Sequence, residues 1–206
     1  MGNHNRKSNR LQGYNYAQLG LYFVTICTFK NECIFGRIEK GKMILNSAGN
    51  AANQCWLEIP IHFPHVALHE HVIMPNHVHG IIELTYTDGV GAKNFSPLLL
   101  PQFYSYVQHR QQFSPLPFFS PQWMNWQKAP FKSPSRTIGS IVRGFKIGVT
   151  KWFRNTDEYE SPVWQRNYHD HIIRSYEAYQ KVSNYIINNP AKWSDDMFYQ
   201  RGETIV

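Results

Sequence analysis

The segment from Val66 to Leu84 constrains the fold more than any other part of the chain. It reads as two strands, VALHEHVIM and HVHGIIEL, broken at Pro75-Asn76. Proline and asparagine punctuate regular structure, so the break predicts a tight turn between the strands. Side chains alternate along a strand. His77, His79, Ile81 and Glu83 therefore share one face, and Val78, Ile82 and Leu84 share the other.

The neighbouring segments extend this pair into a sheet. The β-branched and aromatic run 21–29 (LYFVTICTF) reads as a buried strand. Asn46 suits the N-cap of a helix through AGNAANQCWLEI that ends before Pro60. Ile138, Ile141, Val142, Phe145, Val149 and Trp152 recur at helical spacing. A strand is expected over 163–173 (VWQRNYHDHII), then a helix from about Ser175 to the stop at Asn188-Asn189-Pro190. The order is β, α, β, β, α, β, α, and its first six elements match the split βαβ arrangement. The expected class is α+β, a ferredoxin-like (RRM-like) antiparallel sheet with helices. The final helix is left over and free to cross the face to which His77 and His79 point.

The 206 residues suit one domain over 1–206. Two parts differ in character. Residues 1–13 form a polar arm with Arg6, Lys7 and Arg10. Residues 86–133 hold one acid, Asp88, with many prolines and aromatics and no clear period. This insertion either packs by its aromatics or forms a loop.

Charge narrows the function. The net charge of +7 and a pI near 9.3 favour an anionic partner, nucleic acid first. Cys27, Cys33 and Cys55 fit no zinc spacing and are odd in number, so free thiols in a reducing cytosol are expected. The N-terminus lacks the apolar core of a signal peptide. No apolar run approaches the roughly 20 residues that span a bilayer. A soluble cytoplasmic protein with no membrane partner is the expectation.

Two histidines at i and i+2 on a strand leave from one face and can chelate one divalent metal. The spacing alone says little, because His69/His71 and His169/His171 show it as well as His77/His79. The wider string separates them. Ile73-Met74-Pro75-Asn76-His77-Val78-His79-Gly80-Ile81-Ile82 resembles the His-hydrophobic-His (HUH) motif of the REP-associated tyrosine transposases, members of the single-tyrosine HUH transposase (IS200-like) superfamily. Four further stretches resemble the same family in the same order: Arg6 to Thr28, Ile141-Val142-Arg143-Gly144-Phe145-Lys146, Trp164 to Arg174, and Tyr185-Ile186-Ile187-Asn188-Asn189-Pro190. The likeness spans nearly the whole chain except about 86–133, where this sequence departs from the compact family pattern.

The resemblance implies a metal-dependent single-stranded DNA endonuclease and strand transferase, a transposase acting on hairpin-forming DNA through a 5′-phosphotyrosine intermediate. Tyr185 matches the nucleophile. Tyr185 and Asn189 stand at i and i+4, hence on one helical face. The resemblance implies Asn189 as third metal ligand beside His77 and His79, with Mg²⁺ or Mn²⁺ as the cofactor. His169, Asp170 and His171 are candidates for a supporting role, Asp170 by orienting a histidine. Tyr168 is the rival nucleophile. Arg136, Arg143, Lys146, Lys151, Arg154 and Arg166, with the arm's Arg6, Lys7 and Arg10, are candidate phosphate contacts. Single-stranded or hairpin DNA with palindromic repeats is the implied partner. A site assembled within one chain implies a monomer, with a dimer as the alternative. Two rival functions stand: a non-catalytic ferredoxin-like binder of structured DNA or RNA, and a water-using hydrolase. The chain lacks the acidic cluster that two-metal hydrolysis uses.

Overall fold

The computed structural model describes residues 14–87, 93–94, 136–156 and 162–199. Strand β1 (Gly20–Cys27) is followed by the hairpin strands β2 (Gly36–Glu39) and β3 (Lys42–Leu45). Helix α1 (Ser47–Leu57) and the short α2 (Ile59–His62) come next. Strands β4 (Val66–Ile73) and β5 (His77–Leu84) follow, then a small ribbon of β6 (Tyr86–Thr87) and β7 (Lys93–Asn94). Helix α3 (Ile138–Thr156), strand β8 (His169–Ile173), helix α4 (Tyr176–Asn188) and a 3₁₀ turn (Pro190–Asp195) complete the order.

Four strands make one antiparallel sheet in the order β4-β5-β1-β8. This is the ferredoxin-like order expected from the sequence. The turn 74–77 is tight, with the Met74 N–H donating to the His77 carbonyl at 2.8 Å. Helices α1 and α3 cover one face. Val24, Ile26, Val78, Ile82 and Leu84 meet Trp56, Ile138, Ile141, Val142, Phe145 and Val149 there. Helix α4 crosses the other face and buries Leu21, Ile81 and Ile173 against Tyr179 and Ile186. Strand β5 is therefore buried on both sides along its whole length.

The expected Asn46 cap is present, and Ser175, where the last helix was expected to start, caps that helix. The Asn46 side chain accepts from the Gly49 N–H at 2.8 Å, and the Ser175 hydroxyl accepts from the Ala178 N–H at 3.2 Å. Each satisfies a donor that the first helical turn leaves open. Gly80 has a packing role. A Cβ there would lie 2.2 Å from the Trp56 ring, so only glycine lets α1 approach the central strand this closely.

Several expectations are corrected. The β2–β3 hairpin was not anticipated. Its two-residue turn, Lys40-Gly41, has positive φ at both positions (49° and 73°), a geometry usually written with Asn, Asp or Gly. The strand expected over 163–173 is shorter. Trp164 makes only an isolated bridge to Thr28, because its ring turns into the core against Phe35 and Phe145. Phe153, not Trp152, continues the buried stripe of α3, since it follows Val149 by four residues. Asn189 precedes proline yet keeps helical angles (φ −56°, ψ −44°), against the usual steric bias. The arm 1–13 and all of the insertion except the short ribbon lie outside the described residues. No helix among the described residues is long and apolar enough to cross a membrane.

Candidate functional site

His77 and His79 leave β5 beneath the C-terminal end of α4, with ring centroids 4.4 Å apart. Both are buried. Burial disfavours the imidazolium, so the His77 pKa falls to about 3 and that of His79 falls well below its ordinary value. Both rings are neutral at neutral pH, the form that binds a metal.

The tautomer of His77 follows from its neighbour. Asn76 donates its Nδ2 to the Asn31 carbonyl at 3.0 Å and to the Phe198 carbonyl at 2.9 Å. Those acceptors fix which end of the amide is oxygen. Asn76 Oδ1 sits 2.8 Å from His77 Nδ1 and can only accept. The proton therefore resides on Nδ1, and Nε2 presents a lone pair. That Nε2 is buried and has no hydrogen-bond partner. His79 Nδ1 lies 2.8 Å from the Thr25 hydroxyl, across the pairing of β1 with β5. His79 Nε2 lies 3.1 Å from the Tyr185 hydroxyl.

Helix α4 supplies the other side. Its buried stripe is Tyr179, Ser183 and Ile186. Tyr185 stands just off this stripe and is 43% exposed, so it is not an ordinary core aromatic. Its ring packs edge-on to Phe23 and close to His79. Its hydroxyl is pushed up to about 12, first by burial, then by the charge and hydrogen bond of Asp196, with Asn189 opposing. Asn189, one turn on, is buried. Its Nδ2 donates to Asp196 Oδ2 at 2.9 Å, while its Oδ1 has no partner.

Two buried acceptors without donors, His77 Nε2 and Asn189 Oδ1, fit a cation better than they fit each other. An unsatisfied buried acceptor costs about 1–3 kcal/mol, which a bound cation would offset. The residues present thus suit a divalent metal. Among the described residues, His77, His79 and Asp196 form the group of metal-ligating side chains whose ligand atoms all lie within 4.8 Å of one another.

Asp196, Thr25 and Asn76 were not singled out from the sequence as site residues. Thr25 could have been found only by knowing the strand register. Asp196 lies beyond the last regular helix, where no period marks it. Asp170 does not orient either histidine. It pairs with Val24 and so points to the α1–α3 side of the sheet, while Asn76 and Thr25 occupy the histidine Nδ1 atoms. His169 and His171 are exposed on the edge strand, on the same face as His79. Tyr168 packs against the main core on the opposite side.

The cationic candidates divide as well. Arg143, Lys146, Lys151, Arg154 and Arg166 line one groove of about 740 Å³ beside α3, together with Tyr168 and Asn167. Lys146 departs from the simple expectation of an exposed phosphate contact. Its half-buried ammonium donates to the carbonyls of Gln165 and Asn167 at 2.8 and 2.9 Å, and burial lowers its pKa to about 8. Arg136 is exposed just before α3, outside the groove lining. Arg6, Lys7 and Arg10 lie outside the described residues.

An uncharacterized protein of Haemophilus influenzae is 44% identical over 198 residues, covering 96% of this chain and 95% of that one. The two belong to one family. No family profile matches the chain. Among solved structures, a REP-associated tyrosine transposase bound to a REP hairpin superposes with a TM-score of 0.51 at 16% identity, covering 89% of this chain and 74% of that one. The fold is that of a REP-associated tyrosine transposase. It is the fold that the separated sequence motifs implied.

Proposed function

We propose that the chain is a metal-dependent single-stranded DNA endonuclease and strand transferase, a transposase-type enzyme of one domain acting on hairpin-forming DNA. The observation that carries this reading is the meeting of the Tyr185 hydroxyl with His79, beside the unpartnered His77 Nε2 and Asn189 Oδ1. His77, His79 and Asn189 would hold Mg²⁺ or Mn²⁺. Such a cation polarises the scissile phosphate and offsets charge developing on its oxygens.

The chain's own residues then do the rest. Tyr185 Oη attacks the phosphorus; the Oη–P bond forms as the P–O3′ bond breaks. The departing 3′-oxygen takes a proton, and the phenol loses one, with Asp196 Oδ2 as an acceptor 3.3 Å away. A second 3′-hydroxyl reverses the exchange and joins the new strand. The phosphotyrosine conserves bond energy, so no nucleotide triphosphate is required. Asn76 and Thr25 hold the imidazoles in place during both steps.

The groove beside α3 suits the DNA backbone. Among the described residues its lining carries five cationic side chains and no acidic one. The hairpin bound by the REP-associated transposase of like fold supports a hairpin as the ligand.

The test is a covalent adduct on single-stranded hairpin DNA. Wild type is expected to form one with Mn²⁺ and none in EDTA, and Tyr185→Phe is expected to form none while still binding Mn²⁺. An adduct surviving in Tyr185→Phe would reassign the nucleophile. Hairpin binding that is indifferent to metal and to His77→Ala, with no adduct under any condition, would leave a binding module in place of an enzyme.

A further inference from the structure

We propose that Asp196 is a fourth ligand of the cation, and the one that carries charge. This rests on the reading of His77, His79 and Asn189 as a cation site. Two neutral imidazoles and one amide bring no charge and a single oxygen. Hard cations such as Mg²⁺ and Mn²⁺ favour oxygen donors. Asp196 adds both missing properties at the right place, since its carboxylate lies within 4.8 Å of the ligand nitrogens of His77 and His79. Two ligands of one ion at about 2.1 Å each stand no more than about 4.2 Å apart, so the group closes on an ion with shifts of under about 1 Å.

The chain path and two donors hold Asp196 there. Asn189 stays helical before Pro190, and the 3₁₀ turn brings the chain back over the histidines. Asp196 Oδ2 accepts from Asn189 Nδ2 at 2.9 Å, and Oδ1 accepts from the Phe198 N–H at 2.8 Å. The Phe198 carbonyl in turn accepts from Asn76, the residue that orients His77. One carboxylate is thus tied to the end of α4 and to the turn before β5. Its remaining contact is the Tyr185 hydroxyl at 3.3 Å. A carboxylate offers about four lone-pair positions, so capacity for a cation remains on Oδ1, and more on Oδ2 if the hydroxyl leaves. Coordination through Oδ1 would leave Oδ2 beside the Tyr185 hydroxyl as its proton acceptor.

Isothermal titration of the full chain with Mn²⁺, and the visible spectrum of Co²⁺ bound to it, test this directly. Asp196→Asn removes the charge and keeps one acceptor oxygen, enough for one of the two donors, Asn189 Nδ2 or the Phe198 N–H. We expect it to weaken Mn²⁺ binding at least tenfold and to alter the Co²⁺ spectrum. Asp196→Glu, which restores a carboxylate, is expected to bind more tightly than Asp196→Asn. Asp195→Asn, at the exposed neighbour, is expected to bind as wild type. Wild-type Mn²⁺ affinity in Asp196→Asn, with His77→Ala abolishing binding, overturns the proposal and leaves the histidine site standing. Wild-type affinity in His77→Ala overturns the histidine site itself, and this proposal with it.

Discussion

Replacing Gly80 by alanine is expected to damage both the fold and the site, and the size of the effect follows from one contact. An added Cβ would stand 2.2 Å from one ring carbon of Trp56, 2.7 Å from a second and 3.0 Å from a third. Ordinary carbon contacts are about 3.5–4.0 Å, so the ring or the strand must yield by more than about 1 Å. The ring has little room to do so. Trp56 is fully buried, stacked on His71 at 5.8 Å and edge-on to Phe145 at 5.4 Å. Overpacking a filled core costs typically about 1–3 kcal/mol, and this case belongs at the upper end. In a chain of this length that lowers the melting temperature by about 6–12 °C. Calorimetry or a circular dichroism melt in EDTA measures it. Gly80 is bonded to His79, so the displaced strand is also expected to weaken Mn²⁺ binding. Adding Trp56→Phe should recover part of the loss, with a coupling of at least about 0.5 kcal/mol in a double-mutant cycle. A Gly80→Ala protein that melts with wild type would falsify the close-packing account of this glycine.

Asn76→Ala removes the acceptor that sets the His77 tautomer and frees two carbonyls. It should weaken Mn²⁺ binding by about 10–100-fold, read by titration calorimetry. Stability in EDTA should depend on pH through histidines that burial keeps neutral. The folded pKa of His71 is about 4 and that of His77 about 3, against 6.5 as the ordinary value. The unfolded chain therefore takes up protons first. Stability is complete above pH 6.5 and falls as pH drops toward 4 and then 3, by up to about 1.4 kcal/mol per unit for each such histidine. Urea melts across this range check the slope, and a flat profile refutes it. Arg143→Ala with Arg154→Ala should reduce the slope of log affinity against log salt for hairpin DNA by about 2. Arg37→Ala, whose side chain pairs with Glu39 on the outlying hairpin, should leave that slope unchanged.

Short-range chemistry made much of this legible in the residues. Alternation along β5 placed His77 and His79 on one face and Val78 and Ile82 on the other, because a strand repeats every two residues. Helical spacing put Tyr185 and Asn189 together, and both converge on Asp196. Asn46 caps the helix that its side chain predicted, since a cap reaches only two or three residues. The strand order followed from element order, which admits few right-handed, unknotted paths.

What the residues did not disclose depends on register and chain reversal. Thr25 meets His79 only because β1 pairs antiparallel with β5 at that register. Asp170 faces the α1–α3 side because β8 pairs with β1 at the register that sets it opposite Val24. Lys146 reads as a surface cation, but the loop before β8 folds over it and takes its ammonium onto two carbonyls. Asp196 reaches the histidines through a 3₁₀ turn that no periodicity announces. The sequence by itself determined most of the regular elements and which residues of each share a face, because those are set within a few bonds; the β2–β3 hairpin and the bounds of β8 were not among them. Only the tertiary structure decided which faces meet, because that is settled by packing between residues far apart in the chain.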